Sequence, residues 1–291
     1  MSDLLQIAFS GLTVGAAYAL VALGFAIVFR GTRAINFAQG EYVMLAGVAA
    51  GALNEAAHPP LLVTVVAVIL LGALAGVLTE TVALRLIRRP DPATVTLATI
   101  GLAVTIKAAV LLITDRASYT LPGFSGDASL RIAGATLEAQ TLWNCGLVAV
   151  AAGGLALFFS RTRIGVALRA SADDAEMAAS TGMSRRAATA WSFGLAGALA
   201  AAAGAGLAPV SPVNYDFGTL LGLKGFAAAM LGGLGSMSGA VLGGFALGLA
   251  EALFAGYVSS AYADVVAFAV LLLVLFLRPT GLFAQVRVER V

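Results

Sequence analysis

Apolar runs of nearly constant length alternate with short polar links along this chain. A helix rising 1.5 Å per residue needs about 20 apolar residues to cross a hydrocarbon core about 30 Å thick. The stretches 4–29, 34–53, 61–84, 93–114, 141–160, 187–208 and 262–277 are read as such spans. The region 217–257 breaks the rhythm. It holds Gly218, Gly222, Gly225, Gly232, Gly233, Gly235, Gly239, Gly243, Gly244 and Gly248. Its apolar piece 219–234 reaches only about 24 Å as a helix. Two short segments turning at "GGLGSMSG" fit best, as a broken or re-entrant pair. Such backbone survives at membrane depth only when buried in protein or lining a cavity. Gly235, Gly239 and Gly243 also make a small-residue face for close helix packing. Packing and pore lining are equal alternatives for these glycines. The predicted fold is all-α and polytopic, with about eight transmembrane helices.

A second irregularity lies at 33–45, "RAINFAQGEYVML", where Asn36, Gln39 and Glu41 interrupt an apolar run. Polar groups in hydrocarbon are costly without a partner or water, so these atoms are expected to face the protein interior. Glu41 lies eight residues beyond Arg33, about 12 Å deep on a helix. Lys224, at the start of the broken region, is a candidate partner for it. A structural Glu41–Lys224 pair is favoured over a direct translocation role. Glu80 and Glu251 lie five or six residues from span ends, within reach of water, and Lys107 can snorkel outward.

Composition narrows the class. Of 291 residues, 60% are hydrophobic and only 11% charged. A soluble domain carries about 25% charged residues, so a soluble globular protein is excluded, and one membrane domain over 1–291 is expected. Arg30, Arg33, Arg85, Arg88, Arg89, Arg161, Arg163, Arg169, Arg185, Arg186, Arg278, Arg287 and Arg290 all fall on one side of the predicted spans. The opposite loops carry Arg116 and Arg131 alone. That asymmetry puts the N-terminus outside and the C-terminus in the cytoplasm. The first apolar run lacks a basic leader and is expected to insert as a helix in its own right. A net charge of +2 gives no footprint for nucleic acid. Cys145 and His58 are each the only residue of their type, so neither a disulfide within the chain nor a His/Cys metal site is expected. The loop 115–140 contains two short alternating runs, suited to a small exposed β-hairpin or lid. Its "GFSG", 123–126, matches the GxSG of rhomboid-type intramembrane serine proteases. It sits in a polar loop away from any histidine base, and the protease reading is rejected.

The longest link on the basic side reads "RTRIGVALRASADDAEMAASTGMSRRA". Ser171 with Asp174 resembles a capping box, acids follow in the first turns, and Gly182 is placed to end a helix. A short helix over 172–181, outside the bilayer, is predicted. Its Ala175, Ala178 and Ala179 suit docking into a partner's groove. "EMAASTG", 176–182, resembles the E-A-A-x-x-x-G loop of ABC importer permeases, with Met177 replacing the first Ala. "GLTVGAAYALVALGFAIVFRGTRAINFAQGEYVMLAG" and "KGFAAAMLGGLGSMSGAVLGG" complete the pattern. Together they resemble the branched-chain amino-acid ABC transporter permease family, in its shorter LivH-type form, over about 11–282.

The resemblance implies a heteromeric importer of the bacterial inner membrane. Its other members would be a second, LivM-like permease, two cytoplasmic ATPases and an extracytoplasmic substrate-binding protein. The sequence has no G-x-x-x-x-G-K-[ST] loop, so ATP would be hydrolysed by the partners, and no cofactor is expected on this chain. Arg169, Asp174, Glu176, Ala178 and Gly182 are the expected ATPase-coupling residues. Asn36, Gln39, Gly40, Glu41, Lys224, Gly225, Gly232, Gly233 and Gly235 are expected along the translocation path. The chain would perform no covalent chemistry and would pass branched-chain amino acids, or related small amino acids or amides, inward by alternating access. The alternative is an ion-coupled secondary transporter of small solutes, for which deep charges and a glycine-broken segment would also suit. A passive channel is a third class.

Overall fold

The computed structural model describes residues 2–87, 91–173, 184–278 and 281–282. Its helices are α1 (Ser2–Thr32), α2 (Gln39–Ala57), α3 (Leu61–Leu78) and α4 (Pro92–Thr114). Three short strands follow, β1 (Phe124–Asp127), β2 (Ser129–Ile132) and β3 (Ala135–Glu138). Then come α5 (Ala139–Arg161), α6 (Arg163–Asp173), α7 (Arg185–Leu207), α8 (Phe217–Gly232), α9 (Met237–Tyr257) and α10 (Ala263–Leu277). Among the described residues, seven helices are long and apolar enough to cross a membrane. They include all the spans read from the sequence except the second, and α9 joins them. α2, α6 and α8 are the three that fall short.

Helix ends follow local chemistry. Asp91 caps α4 by accepting from the Thr94 N–H at 2.8 Å, with Pro92 opening the first turn where its missing N–H costs nothing. Ser184 and Ser236 cap α7 and α9 in the same way. α3 ends in a π turn, Thr79–Ala83, where the Thr79 hydroxyl meets the Tyr42 hydroxyl at 2.6 Å. Glu80, expected within reach of water, is buried in that turn.

The predicted hairpin is present. β2 and β3 pair antiparallel with Ser129 opposite Glu138, and Gln6 exchanges hydrogen bonds with the Thr136 backbone. This fixes the hairpin at the start of α1, while Arg30 and Arg33 mark its other end. Arg85 after α3, Arg161 at the end of α5, Arg186 at the start of α7 and Arg278 after α10 stand at helix ends on that same basic side.

The helices form two copies of one unit in opposite orientation. Residues 36–53, "NFAQGEYVMLAGVAAGAL", and 214–231, "NYDFGTLLGLKGFAAAML", share Asn36/Asn214, Gly40/Gly218, Leu45/Leu223, Gly47/Gly225, Ala49/Ala227, Ala50/Ala228 and Leu53/Leu231. These stretches begin α2 and α8. The packing repeats with them: α1 lies along α9 as α7 lies along α3, and α2 lies along α7 as α8 lies along α1. Burial repeats too. The apolar stretches of α1 and α7 are 83% and 78% buried, and those of α4 and α10 are both 11% buried, pairing centre with centre and rim with rim. Side-by-side residues give the directions. Gly24 meets Ala196 and Gly31 meets Ser192, so α1 and α7 are antiparallel. Gln39 meets Ala196 and Gly47 meets Gly204, so α2 runs parallel to α7. The second unit is therefore inverted relative to the first.

Two helix starts expected from the sequence also need correction. The second span begins at Gln39 rather than 34, because 33–38 is not helical. The loop after α5 is already helical from Arg163. Gly165 lies against the Phe158 carbonyl, and Gly165, Ala167 and Leu168 are buried while Arg163 and Val166 are exposed. Ser171 thus lies inside α6 rather than capping a helix that begins at 172.

Candidate translocation site

Both broken helices start inside the bundle. Gln39 sits beside Gly24, eight residues before the end of α1, so α2 begins about 12 Å inside the basic end. The backbone leading to it needs partners that are not water. Threonines on α4 supply them. The Ile35 N–H donates to the Thr96 hydroxyl at 3.2 Å, the Phe37 N–H donates to the Thr99 hydroxyl at 3.1 Å, and the Ile35 carbonyl lies 3.2 Å from the same Thr99 hydroxyl. Asn36 Oδ1 accepts from the Ala38 N–H at 3.2 Å, and Gln39 Nε2 donates to the Ala196 carbonyl at 2.9 Å. Asn36 and Gln39 are fully buried and bound to backbone.

The second copy repeats this start. Asn214 Oδ1 accepts from the Asp216 N–H at 3.0 Å. The Phe217 N–H reaches the Asn214 carbonyl at 3.2 Å, as the Gln39 N–H reaches the Asn36 carbonyl at 3.1 Å. Here the incoming backbone is held by the loop after α4: Tyr119 and Val213 exchange two 2.9 Å hydrogen bonds.

The two starts cross at Gly40 and Gly218. A Cβ on Gly40 would lie 2.1 Å from the Gly218 carbonyl oxygen, and one on Gly218 would lie 2.6 Å from the Gly40 carbonyl oxygen. The reciprocity places this contact on the axis relating the copies. One residue further on, equivalent positions meet: the Thr219 hydroxyl donates to Glu41 Oε1 at 2.9 Å. Glu41 is only 2% exposed, and its Oε2 has no hydrogen-bond partner. Beyond Thr219, Lys107 pairs with Asp216.

The Glu41–Lys224 pair expected from the sequence is not formed. Lys224 Nζ instead lies 2.7 Å from Glu251 Oε1 and 2.5 Å from Asp264 Oδ1, and the Tyr18 hydroxyl donates to Glu251 Oε2 at 2.8 Å. Glu251 is held in this cluster rather than turned to water, its side chain 14% exposed. The physical reason is placement: Lys224 faces α9 and α10, while Glu41 faces the first turn of α8. Gly225 packs on Val21, and Gly232 on Gly239. Gly233 and Gly235 take positive φ, 97° and 87°, in the turn between α8 and α9, a conformation costly for residues with a Cβ. Gly235 therefore precedes α9 rather than sharing a helical face with Gly239 and Gly243. It lines a cavity of about 540 Å³ with Phe29, Arg30, Arg33, Leu155 and Ser236 at the basic end.

Of the expected coupling residues, Arg169 lies on α6, half-buried. Asp174, Glu176, Ala178 and Gly182 lie outside the described residues, as does most of the predicted helix 172–181. Ser125, in the "GFSG" match, accepts from the Trp143 indole N–H at 2.8 Å. Sequence reading missed Thr96, Thr99, Asp216 and Thr219. The Asn-x-x-x-Gly recurrence at 36–40 and 214–218 was the signal available for the last two.

The family profile for the branched-chain amino acid transport system permease component matches residues 7–275. The chain belongs to that permease family. Among relatives of this permease is the high-affinity branched-chain amino acid transport system permease protein BraD of Pseudomonas aeruginosa. It is 35% identical over 99% of this chain and 98% of its own. LivH of Escherichia coli K12, described in the same words, is 34% identical over 99% and 97%. The probable branched-chain amino acid transport permease LivH of Methanocaldococcus jannaschii is 28% identical over 90% and 87%. No solved structure gives a significant match.

Proposed function

We propose that this chain, as one permease domain over 1–291, is a membrane subunit of an ABC importer of the bacterial inner membrane. It moves branched-chain amino acids inward by alternating access. The observation that carries this reading is the crossing of two broken helix starts at Gly40 and Gly218, on the axis of an inverted repeat. Solute sites in inverted-repeat transporters form where such half-helices meet near the midplane. Asn36, Gln39 and Gly40 hold the first start in place. Glu41 supplies the unpaired carboxylate oxygen beside it. Lys224 and the glycines at 225, 232, 233 and 235 set the fit of α8 against its neighbours.

The basic end is the cytoplasmic one in this reading, with the N-terminus outside and the C-terminus inside. There two ATPases seat the loop containing Arg169, Asp174, Glu176, Ala178 and Gly182, and they hydrolyse the ATP. A second, LivM-like permease completes the membrane part, and an extracytoplasmic binding protein delivers the solute. The chain itself binds no cofactor and performs no covalent chemistry.

The test is reconstitution of the full complex in nanodiscs. Loaded binding protein should stimulate ATP hydrolysis, and Ala178→Arg should abolish that stimulation while the amount of permease in the membrane stays normal. The largely buried Lys224–Glu251 pair, with the exposed Asp264 beside it, favours one rival, an ion-coupled transporter. Uptake by this chain without ATPases, driven by an imposed proton or sodium gradient, would replace the ABC reading with that one.

A further inference from the structure

We propose that Lys107, Asp216 and Thr219 form a binding station for a zwitterionic amino acid on the face between α4 and α8. This rests on the permease reading above and names the site through which it would act. Lys107 lies seven residues before the end of α4, about 10 Å in from that end. Asp216 immediately precedes α8, whose first turn crosses α2 at Gly40. The pair therefore sits at membrane depth. It is also open: the two side chains are 31% and 65% exposed, and Thr219 is exposed beside them. Charges at membrane depth are costly against lipid and so face protein or a water-filled cavity. This face is turned away from the acyl chains.

The chemistry matches a zwitterion. An amino acid carries the same two charges as the pair, in reverse. It can enter between them with its carboxylate on the Lys107 ammonium and its ammonium on Asp216, leaving no charge unpaired. α8 begins without a side-chain cap, so apart from the Phe217 N–H, which is held by the Asn214 carbonyl, the N–H groups of its first turn remain as donors toward the carboxylate. Behind Thr219, the buried and unpartnered Glu41 Oε2 is a second acceptor for the ammonium once the Thr219 hydroxyl turns away. Leu220, 39% exposed, offers apolar contact for a branched side chain.

The experiment uses the complete complex in nanodiscs, with Cys145→Ala and Thr219→Cys, and a water-soluble cationic methanethiosulfonate reagent. Thr219→Cys should react, and free leucine at about ten times its Kd should slow the reaction about tenfold. 4-Methylpentanoate, lacking the ammonium, and isoamylamine, lacking the carboxylate, should not protect. Leu220→Cys is the second reporter should Thr219→Cys fail to fold. Combining Lys107→Met with Asp216→Leu should abolish protection and reduce leucine uptake. Absence of labelling, showing a face sealed by lipid or by the partner permease, overturns the proposal. So does equal protection by the two single-charge analogues, or full uptake by the double variant. Stimulated ATP hydrolysis by the unaltered complex is measured in parallel. If that is absent, the importer reading fails; if it is present without protection, only the station fails.

Discussion

Thr99→Val isolates the device that lets a broken helix start exist inside the bundle. Thr99 is fully buried, and valine has nearly its shape, so no cavity opens and the packing cost is small. What disappears is the hydroxyl. The Phe37 N–H loses its acceptor at 3.1 Å, and the Ile35 carbonyl loses a donor at 3.2 Å. Because the hydroxyl has one proton to share between the Ile35 and Thr96 carbonyls, the stranded N–H is the main loss. A buried donor left unpaired costs about 1–3 kcal/mol. At about 2–4 °C per kcal/mol for a large domain, the melting temperature should fall by about 2–12 °C. Cys145 is a free thiol and half-buried, so a thiol-reactive fluorophore can follow unfolding without adding a probe. Thr105→Val is the control, since that exposed hydroxyl bonds only the Gly101 carbonyl of its own helix. Thr99→Ser should recover most of the loss. Equal melting of the Thr99→Val and Thr105→Val proteins would refute the reasoning.

Gly40→Ala forces a Cβ to within 2.1 Å of the Gly218 carbonyl oxygen and 2.8 Å of Gly222 Cα. Overpacking of about 1–3 kcal/mol or more should lower the folded yield, whereas Gly101→Ala, with open space around it, should not. Lys224→Met leaves Glu251 and Asp264 without their cation, and removing one partner of a buried pair costs about 3–5 kcal/mol. The fraction of monodisperse protein in detergent should drop and should largely return with Glu251→Gln added. For orientation, Ser125→Cys and Ser211→Cys should react with an impermeant reagent on intact cells. Ser184→Cys should react only after the membrane is opened, and the reverse pattern would invert the topology.

Span positions were legible because burial in lipid writes itself into sequence as apolar length. α1, α4, α5, α7 and α10 begin and end within a few residues of the apolar limits. The hairpin after α4 was legible from alternation and turn residues. The start of α2 was not, because the non-helical 33–38 backbone is satisfied by Thr96 and Thr99, about 60 residues away in the chain. The partner of Lys224 was missed for a related reason. Charge and depth made Glu41 eligible, but which side of α8 Lys224 occupies depends on three-dimensional packing. α6 was overlooked because its arginines read as a solvated link, although Gly165, Ala167 and Leu168 on one face fit against the bundle. The inverted repeat was hidden by its separation and by few identities, of which Asn36/Asn214 and Gly40/Gly218 mark the two helix starts and their crossing.

The single helix α5, with no counterpart in either copy, settles a question of parity. Each repeat has four helices, an even number, so a second copy joined directly to the first would be threaded with the same polarity. One additional crossing between them turns it over. α5 is only 22% buried and contributes little to the centre of the fold. Its consequence is nonetheless global: without that odd passage, Gly40 and Gly218 would present like ends of like units, and the reciprocal contact between them could not close. A peripheral helix thus sets, by counting alone, the handshake on which the interior depends.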